Sequence, residues 1–204
     1  MVDEGRSFPR ETMTDATDED LMMRIGTGDR IAFGELVRRH LDRTVGFAQR
    51  VTGSRGDAEE VAQEAFLRVW TKAPTWRAGN AESGTARFTT WLYRVALNLS
   101  IDRRRRPVHD PLVEAAEPPD PAESAVETIA KSQLSAQVAA AVAALPERQR
   151  AALALCFYDG LSNREAAEVL SLTPGAVESL LVRARRSLRQ TLAGAAAEFL
   201  EVVP

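Results

Sequence analysis

The stretch GLSNREAAEVLSLTPGAVESLLVRARRSLR, residues 160–189, decides the fold of this chain. Ser162 and Glu165 form an S-x-x-E capping box, which predicts the start of one helix. Thr173 is a favourable N-cap and Pro174 a favourable first helical residue, so a second helix is predicted to follow at once. An apolar stripe at helical spacing lies along it: Val177, Leu181, Ala184 and Leu188. Two short helices at a steep angle, the second one basic, form a helix-turn-helix that places a helix in the DNA major groove.

Exposed positions early in a recognition helix meet base edges, so this pattern predicts a DNA-reading face. Together with the cap of the first helix, its members are Ser162, Thr173, Pro174, Gly175, Glu178, Ser179, Val182 and Arg183. Arg185 and Arg186 follow and predict phosphate contacts, which position a helix without specifying sequence. Glu178 repels phosphate but can accept a hydrogen bond from cytosine N4, so a base-reading role and a solvated, idle side chain stay open alternatives.

The 204-residue chain has a net charge of −3, but its charge is unevenly distributed. Residues 86–106 hold six basic side chains against one acid, Asp102; the six are Arg87, Arg94, Arg103, Arg104, Arg105 and Arg106. A local basic patch on an acidic chain is sufficient for a nucleic-acid footprint.

Residues 107–121 are proline-rich and acidic, which predicts an extended, flexible linker. The linker divides a first module, 18–106, from a second, 122–196, with a disordered tail at 1–17 and a short tail at 197–204. Both modules show helical periodicity without strand-like alternation, so the predicted fold class is all-α, with two helical domains. Helix starts are expected at Asp18, at Asp29 and at either Ser54 or Asp57, with a loop over 74–85.

No pattern in the chain points to catalysis. His40 and His109 stand apart without metal-ligand spacing, no phosphate-binding glycine loop occurs, and neither a cofactor nor a metal is expected. The lone Cys156 is more typical of a core position than of a redox sensor. Without a leader or an apolar run of roughly 18 residues, the expected location is the cytoplasm, with no membrane insertion.

Motifs in the first module identify a family. The sequence DAEEVAQEAFLRVW at 57–70 resembles region 2.2 of sigma factors, and FTTWLYRVALNLSIDRR at 88–104 resembles regions 2.3 and 2.4. Residues 20–33 resemble the start of region 2, and the helix-turn-helix resembles region 4.2. With all four motifs in order over roughly residues 18–192, the chain resembles an extracytoplasmic-function (ECF, group IV) sigma factor of the sigma-70 family.

The resemblance implies that the 57–70 helix docks on the clamp helices of the largest subunit of core RNA polymerase. The docking residues would be Asp57, Glu60, Val61, Gln63, Glu64, Phe66 and Leu67, although a charged helix face is often merely solvated. It also implies that region 4 meets the polymerase flap and the −35 promoter element, which assigns the reading face described above to that element.

Recognition and melting of the −10 element would fall on residues 75–106. Melting takes bases out of the stack, and exposed bases are held by aromatic stacking within a basic groove. The candidate residues are Trp76, Asn80, Arg87, Arg94, Asn98, Asp102 and Arg103. Trp76 suits a base pocket and a core position about equally, whereas Phe88 and Trp91 fit a core position better because they share helical spacing with Val95.

The implied partners are core polymerase, promoter DNA and an anti-sigma factor. Fully extended, the chain from 106 to 122 spans at most about 55 Å, so the modules could occupy separate promoter elements. An alternative is a stand-alone helix-turn-helix regulator, which would bind duplex DNA tightly without polymerase. A third possibility, an enzyme with a DNA-targeting domain, lacks a catalytic constellation.

Overall fold

The computed structural model describes residues 16–76, 87–105 and 136–202. The described part of the chain is helical without strands, which confirms the all-α prediction. The elements are α1 (Asp18–Gly26), α2 (Arg30–Thr52), α3 (Arg55–Lys72), a 3-10 turn (Ala73–Thr75), α4 (Phe88–Arg105), α5 (136–143), α6 (Glu147–Leu153), a π-helical turn (Ala154–Tyr158), α7 (Asn163–Leu170) and α8 (Pro174–Val202). Asn80, Arg106, the predicted linker at 107–121, residues 122–135 of the second module and residues 1–15 of the first tail lie outside the described residues. The short tail predicted at 197–204 is wrong in its start, because α8 continues to Val202.

Local capping explains where the helices of the first module begin. Asp29 caps α2 as predicted, because its Oδ1 accepts the N–H groups of Ile31 and Ala32. Ser54, one of the two alternatives, caps α3. The prediction that Asp18 caps α1 is wrong. Thr17 is the cap, since its hydroxyl accepts the N–H of Asp20 and the Asp20 carboxylate accepts the N–H of Thr17.

The helix-turn-helix forms as its sequence predicts. The Ser162 hydroxyl accepts the N–H of Glu165, whose carboxylate accepts the N–H of Ser162 in return. Ser171 ends α7 in the left-handed region, at a φ of 53°. The Thr173 hydroxyl then accepts the N–H of Ala176 and begins α8.

The first module, α1–α4, has its own apolar core. Leu21, Met22 and Ile25 of α1 are buried against Leu36 of α2 and Phe88 of α4. A smaller cluster in the second module, α5–α8, joins Val142, Leu145, Leu153 and Ala184. Among the described residues, no helix has the length and apolar character that crossing a membrane requires.

A further cluster joins the two modules. Phe47 and Tyr93 of the first module belong to the same buried core as Leu155, Ala167 and Val177 of the second. In this arrangement, called closed below, α7 of the helix-turn-helix packs on α4, and α6 with the π-helical turn packs on α2. The linker composition predicts two modules, but it contains no signal for this packing.

Candidate nucleic-acid interface

One face of α8 is open to solvent. Val177 and Ala184 are fully buried on the opposite side of the helix, as the apolar stripe predicts. All the predicted reading positions and phosphate contacts on this helix and its cap are exposed: Thr173, Pro174, Gly175, Glu178, Ser179, Val182, Arg183, Arg185 and Arg186. Val182 is 60% exposed and offers an apolar contact of the kind that meets a thymine methyl group.

Ser162 has an intramolecular role. Its hydroxyl donates to Glu165 at 2.7 Å while accepting the N–H of the same residue. These hydrogen bonds lower the pKa of the Glu165 carboxyl below its ordinary value. Ser162 therefore fixes the start of α7, and its hydroxyl is already engaged in the closed arrangement.

The basic face of α4 is arranged differently. Arg94, Asn98 and Asp102 lie on successive turns and are exposed, with Arg87 just before the helix. The Arg87 guanidinium lies 3.2 Å from the carboxylate of Glu165 on α7. Arg94 donates a hydrogen bond to the carbonyl oxygen of Glu168 at the end of the same helix. Helix α7 thus engages two of the residues predicted to contact the −10 element.

Arg103 connects a predicted DNA-contact site with a predicted polymerase-contact site, which the sequence motifs place in separate segments. Its guanidinium forms ion pairs with Asp57, at 2.9 Å, and with Glu60, both on α3. Two predicted polymerase contacts therefore bind a predicted DNA contact, and all three are engaged at the junction of α3 and α4. Forty-six residues separate Arg103 from Asp57, so helical spacing could not have revealed the pair.

A groove of about 860 Å³ lies between α2 and α3. Of the predicted polymerase contacts, Gln63, Phe66 and Leu67 line it, and Leu67 is 55% exposed. The residues of α2 that complete its apolar wall are Phe33, Val37, Leu41 and Val45. The sequence does not by itself assign these residues to a site. The only indication of one is that the apolar stripe of α2 is wider than a single core contact requires.

Two other predicted polymerase contacts lie away from the groove. Glu64 forms an exposed ion pair with Arg68, at 3.2 Å. Val61 is only 3% exposed and belongs to the core shared by the two modules, so it presents no docking surface here. Its burial follows from the stripe that it forms with Ala65 and Val69.

Trp76 lies within an aromatic cluster at the start of α4. Its ring packs edge-on against Trp91, with centroids 5.3 Å apart, and against Phe88 at 6.2 Å. Phe88 is fully buried, whereas both tryptophans are half-buried. In this arrangement Trp76 occupies a core position beside the exposed α4 face.

Polar contacts also join the modules. The Tyr93 hydroxyl of α4 donates to the carboxylate of Asp159, which follows the π-helical turn. Burial raises the pKa of both groups. Nearby, the Arg50 guanidinium lies 4.2 Å from the ring centroid of Tyr158.

Comparison with known proteins supports the division of the chain into two modules. Residues 36–107 match the family Sigma-70 region 2, and residues 135–188 match Sigma-70, region 4. The ECF RNA polymerase sigma factor SigE of Mycolicibacterium smegmatis is 36% identical over 82% of this chain and 65% of its own length. The RNA polymerase sigma-H factor of Pseudomonas aeruginosa is 32% identical over 88% of this chain and 96% of its own.

Solved structures show the same fold. CnrH, in complex with the cytosolic domain of CnrY, superposes with a TM-score of 0.65 at 28% identity, covering 87% of this chain and 97% of that one. The sigma factor RpoE of Bartonella quintana, in complex with the anti-sigma factor NepR, has a TM-score of 0.60 at 19% identity, covering 79% and 96%.

A helix-turn-helix module and a second helical module with a basic face define a two-part DNA-binding protein. More particularly, the chain belongs to the ECF RNA polymerase sigma factors of the sigma-70 family. It is a transcription initiation factor, as the resemblance predicted.

Proposed function

We propose that the chain docks on core RNA polymerase through the groove between α2 and α3, contacts the −10 element with α4, and reads the −35 element with α8. The observation that carries this proposal is the separation of three surfaces. An apolar groove and two polar faces, one on each module, point to three contacts that one chain makes together.

The groove suits a helical partner. Its walls are apolar, its rim carries Asp42, Arg55 and Glu59, and exposed leucines such as Leu67 lie along it. Such grooves take the apolar face of an amphipathic helix. We propose the clamp helices of the largest subunit as the occupant, with the flap as the second contact, at region 4; membership of the sigma family supports this choice.

The α4 face suits a melted strand. Arg94 and Arg87 supply positive charge along one side of the helix, and Asn98 carries an amide of the type that pairs with an adenine edge. The aromatic cluster around Trp91 lies at its N-terminal end and offers stacking surfaces for unpaired bases. Asp102 follows on the next turn.

Binding of the −10 element requires α7 to leave α4. Arg87 and Arg94 contact α7 in the closed arrangement, so promoter phosphates compete with Glu165 and with the Glu168 carbonyl for the same guanidinium groups. We therefore propose that the modules separate when the chain is loaded onto polymerase and promoter.

The proposal includes three finer points. A specialised, stress-responsive set of promoters and a cytoplasmic location follow from the sigma-family role rather than from particular residues. An anti-sigma factor is proposed as a further partner, by analogy with the complex that contains RpoE and NepR.

In vitro transcription on genomic templates, with core polymerase and with or without the chain, tests the function. We expect promoter-specific transcripts only when the chain is present. Leu67→Arg, which places a charge in the groove, is expected to lower affinity for core polymerase at least about tenfold, the loss of a buried interface anchor. The matched control is Thr71→Arg, which adds the same charge one turn further along α3.

Two results would contradict the proposal. A folded chain that directs no specific initiation would exclude the sigma role. Tight binding of a palindromic duplex by the chain alone, as a dimer, would instead favour the stand-alone regulator.

A further inference from the structure

We infer that α1 is a positioning element for −10 recognition, because it contacts both the 3-10 turn that leads to Trp76 and the first residue of α4. This inference rests on the proposed role of α4. Helix α1 lies before the residues that match the Sigma-70 region 2 family, which begin at residue 36.

The first contact is at the start of α4. The Glu19 carboxylate accepts the backbone N–H of Phe88, with Oε1 and N 2.9 Å apart and the two residues 69 positions apart in the sequence. Phe88 is the first residue of α4, where N–H groups have no partner within the helix. A carboxylate there also interacts favourably with the helix dipole. Glu19 thus caps α4 from a distant part of the chain, directly beside Arg87.

The second contact is at the 3-10 turn that follows α3. Gly26, the last residue of α1, lies against the 3-10 turn formed by Ala73–Thr75. A Cβ atom on Gly26 would come within 2.8 Å of the Ala73 carbonyl oxygen, a distance that real Cβ atoms essentially never show. Only glycine permits this approach, which places the turn directly on α1.

The helix that makes both contacts is itself firmly held. The Asp18 carboxylate lies 2.7 Å from Nε2 of His40 and 3.1 Å from Nη1 of Arg39, both on α2. The His40 ring in turn packs on Phe88, with centroids 5.3 Å apart. Leu21 and Met22 of α1 are fully buried in the core. Because α1 is anchored to α2 and contacts both the turn that leads to Trp76 and the first residue of α4, it fixes the position of that turn relative to the start of α4.

This geometry makes Glu19 and Gly26 positioning residues rather than DNA contacts. Their effect should therefore appear in −10 capture and not in the other activities of the chain. A purely structural role for α1 would weaken polymerase docking and −10 capture together, since the groove and α4 belong to the same module.

The test measures binding of holoenzyme to a labelled single strand, the non-template strand upstream of a start site mapped by the transcription experiment. Glu19→Ala is expected to lower affinity for this strand about fivefold, the size of a lost helix cap. Glu19→Gln, which retains an oxygen that accepts the Phe88 N–H, is expected to recover most of the loss. Gly26→Ala is expected to lower affinity at least as much as Glu19→Ala.

The matched control is Met23→Ala, at an exposed position of α1 that makes neither the Phe88 contact nor the Ala73 contact. In every variant, affinity for core polymerase and for a −35 duplex should stay within about twofold of the unmodified chain, as for surface substitutions away from a site. Permanganate reactivity of promoter thymines should fall in parallel with strand binding.

The inference is overturned if Glu19→Ala leaves strand binding unchanged, or if it lowers core affinity to the same degree. Failure of the underlying function looks different. If the proposed role of α4 fails, Arg94→Ala, on the α4 face itself, also leaves strand binding unchanged. If only the inference about α1 fails, Arg94→Ala still lowers strand binding.

Discussion

Helices α4 and α8 each carry basic residues on one face, yet their surroundings differ. The reading face of α8, from Gly175 to Arg186, is open to solvent. At α4, the guanidinium groups of Arg94 and of Arg87, just before the helix, contact α7 of the other module. The closed arrangement therefore leaves the proposed −35 face available while engaging the proposed −10 face.

The difference shows what controls access to a basic helix. The Arg87–Glu165 pair is solvent-exposed on the arginine side, and such pairs contribute little to stability. The shared apolar core, which includes Phe47 and Leu155, supplies the larger contribution. In the proposed function, the arginines thus become available when these apolar surfaces separate, so −10 recognition is coupled to module opening. The proposed duplex reading by α8 needs no such step.

The largest expected effect tests the difference between the exposed face of α8 and the engaged face of α4 in the free chain. Arg183→Ala removes an exposed cation from the α8 face and is expected to lower affinity for a −35 duplex about tenfold, the cost of one good base contact. Arg94→Ala, on the engaged face, is expected to leave that affinity unchanged. Fluorescence anisotropy at constant low salt measures both variants. Equal losses would mean that the two faces do not differ as described.

Removal of one hydroxyl group tests the hydrogen bond between Tyr93 and Asp159, which joins the modules. Tyr93→Phe leaves the Asp159 carboxylate without its buried donor and should shift the equilibrium towards the open form by about tenfold, as expected for an unsatisfied buried polar group. Single-molecule energy transfer between a dye on each module measures the open fraction. Tyr158→Phe, which removes a tyrosine hydroxyl at an exposed position and keeps the ring beside Arg50, is the control.

The closed arrangement should also depend on pH. Burial raises the pKa of Asp159 above its ordinary value of 3.8, so protonated Asp159 favours the closed form. This contribution is fully present below about 3.8 and is lost as the pH rises through the raised pKa. The Tyr93 hydroxyl, Arg43 and Arg50 face the carboxylate and limit the shift. The open fraction should rise with pH above about 4, and Asp159→Asn should flatten the profile.

The smallest effect concerns the ring contact at the edge of the interface. Arg50→Ala removes the guanidinium that lies over Tyr158, and an exposed contact of this kind stabilises by about 0.5–1 kcal/mol. The open fraction should therefore increase only two- to fivefold. Arg55→Ala, which removes an exposed ion pair at the start of α3, should leave it unchanged.

Local signals in the sequence predicted most of the helix boundaries. Capping residues such as Asp29 and Ser162 act over two or three positions, so their partners can be identified from spacing alone. The start of α1 was misjudged because Thr17 and Asp18 are adjacent and both are good caps. Only the capping-box partner, Asp20, distinguishes them.

Contacts between distant residues could not be predicted in this way. Arg103 with Asp57, and Glu19 with Phe88, join residues whose separation carries no helical period. The shared core was missed for another reason: Phe47 and Val177 have the pattern of ordinary core residues, and that pattern does not say which module covers them. The exposed face of α8 was predictable because its apolar stripe faces the core, so that the remaining residues of the helix face solvent.

The most direct test follows the separation of the two modules during loading. Thr71→Cys and Gln190→Cys place one dye on each module at exposed positions, in a chain where Cys156→Ser removes the native thiol. Energy transfer should be high in the free chain and should fall when core polymerase and promoter DNA are added together. An unchanged, short separation in an actively transcribing complex would contradict the account, because α7 would still engage the α4 face.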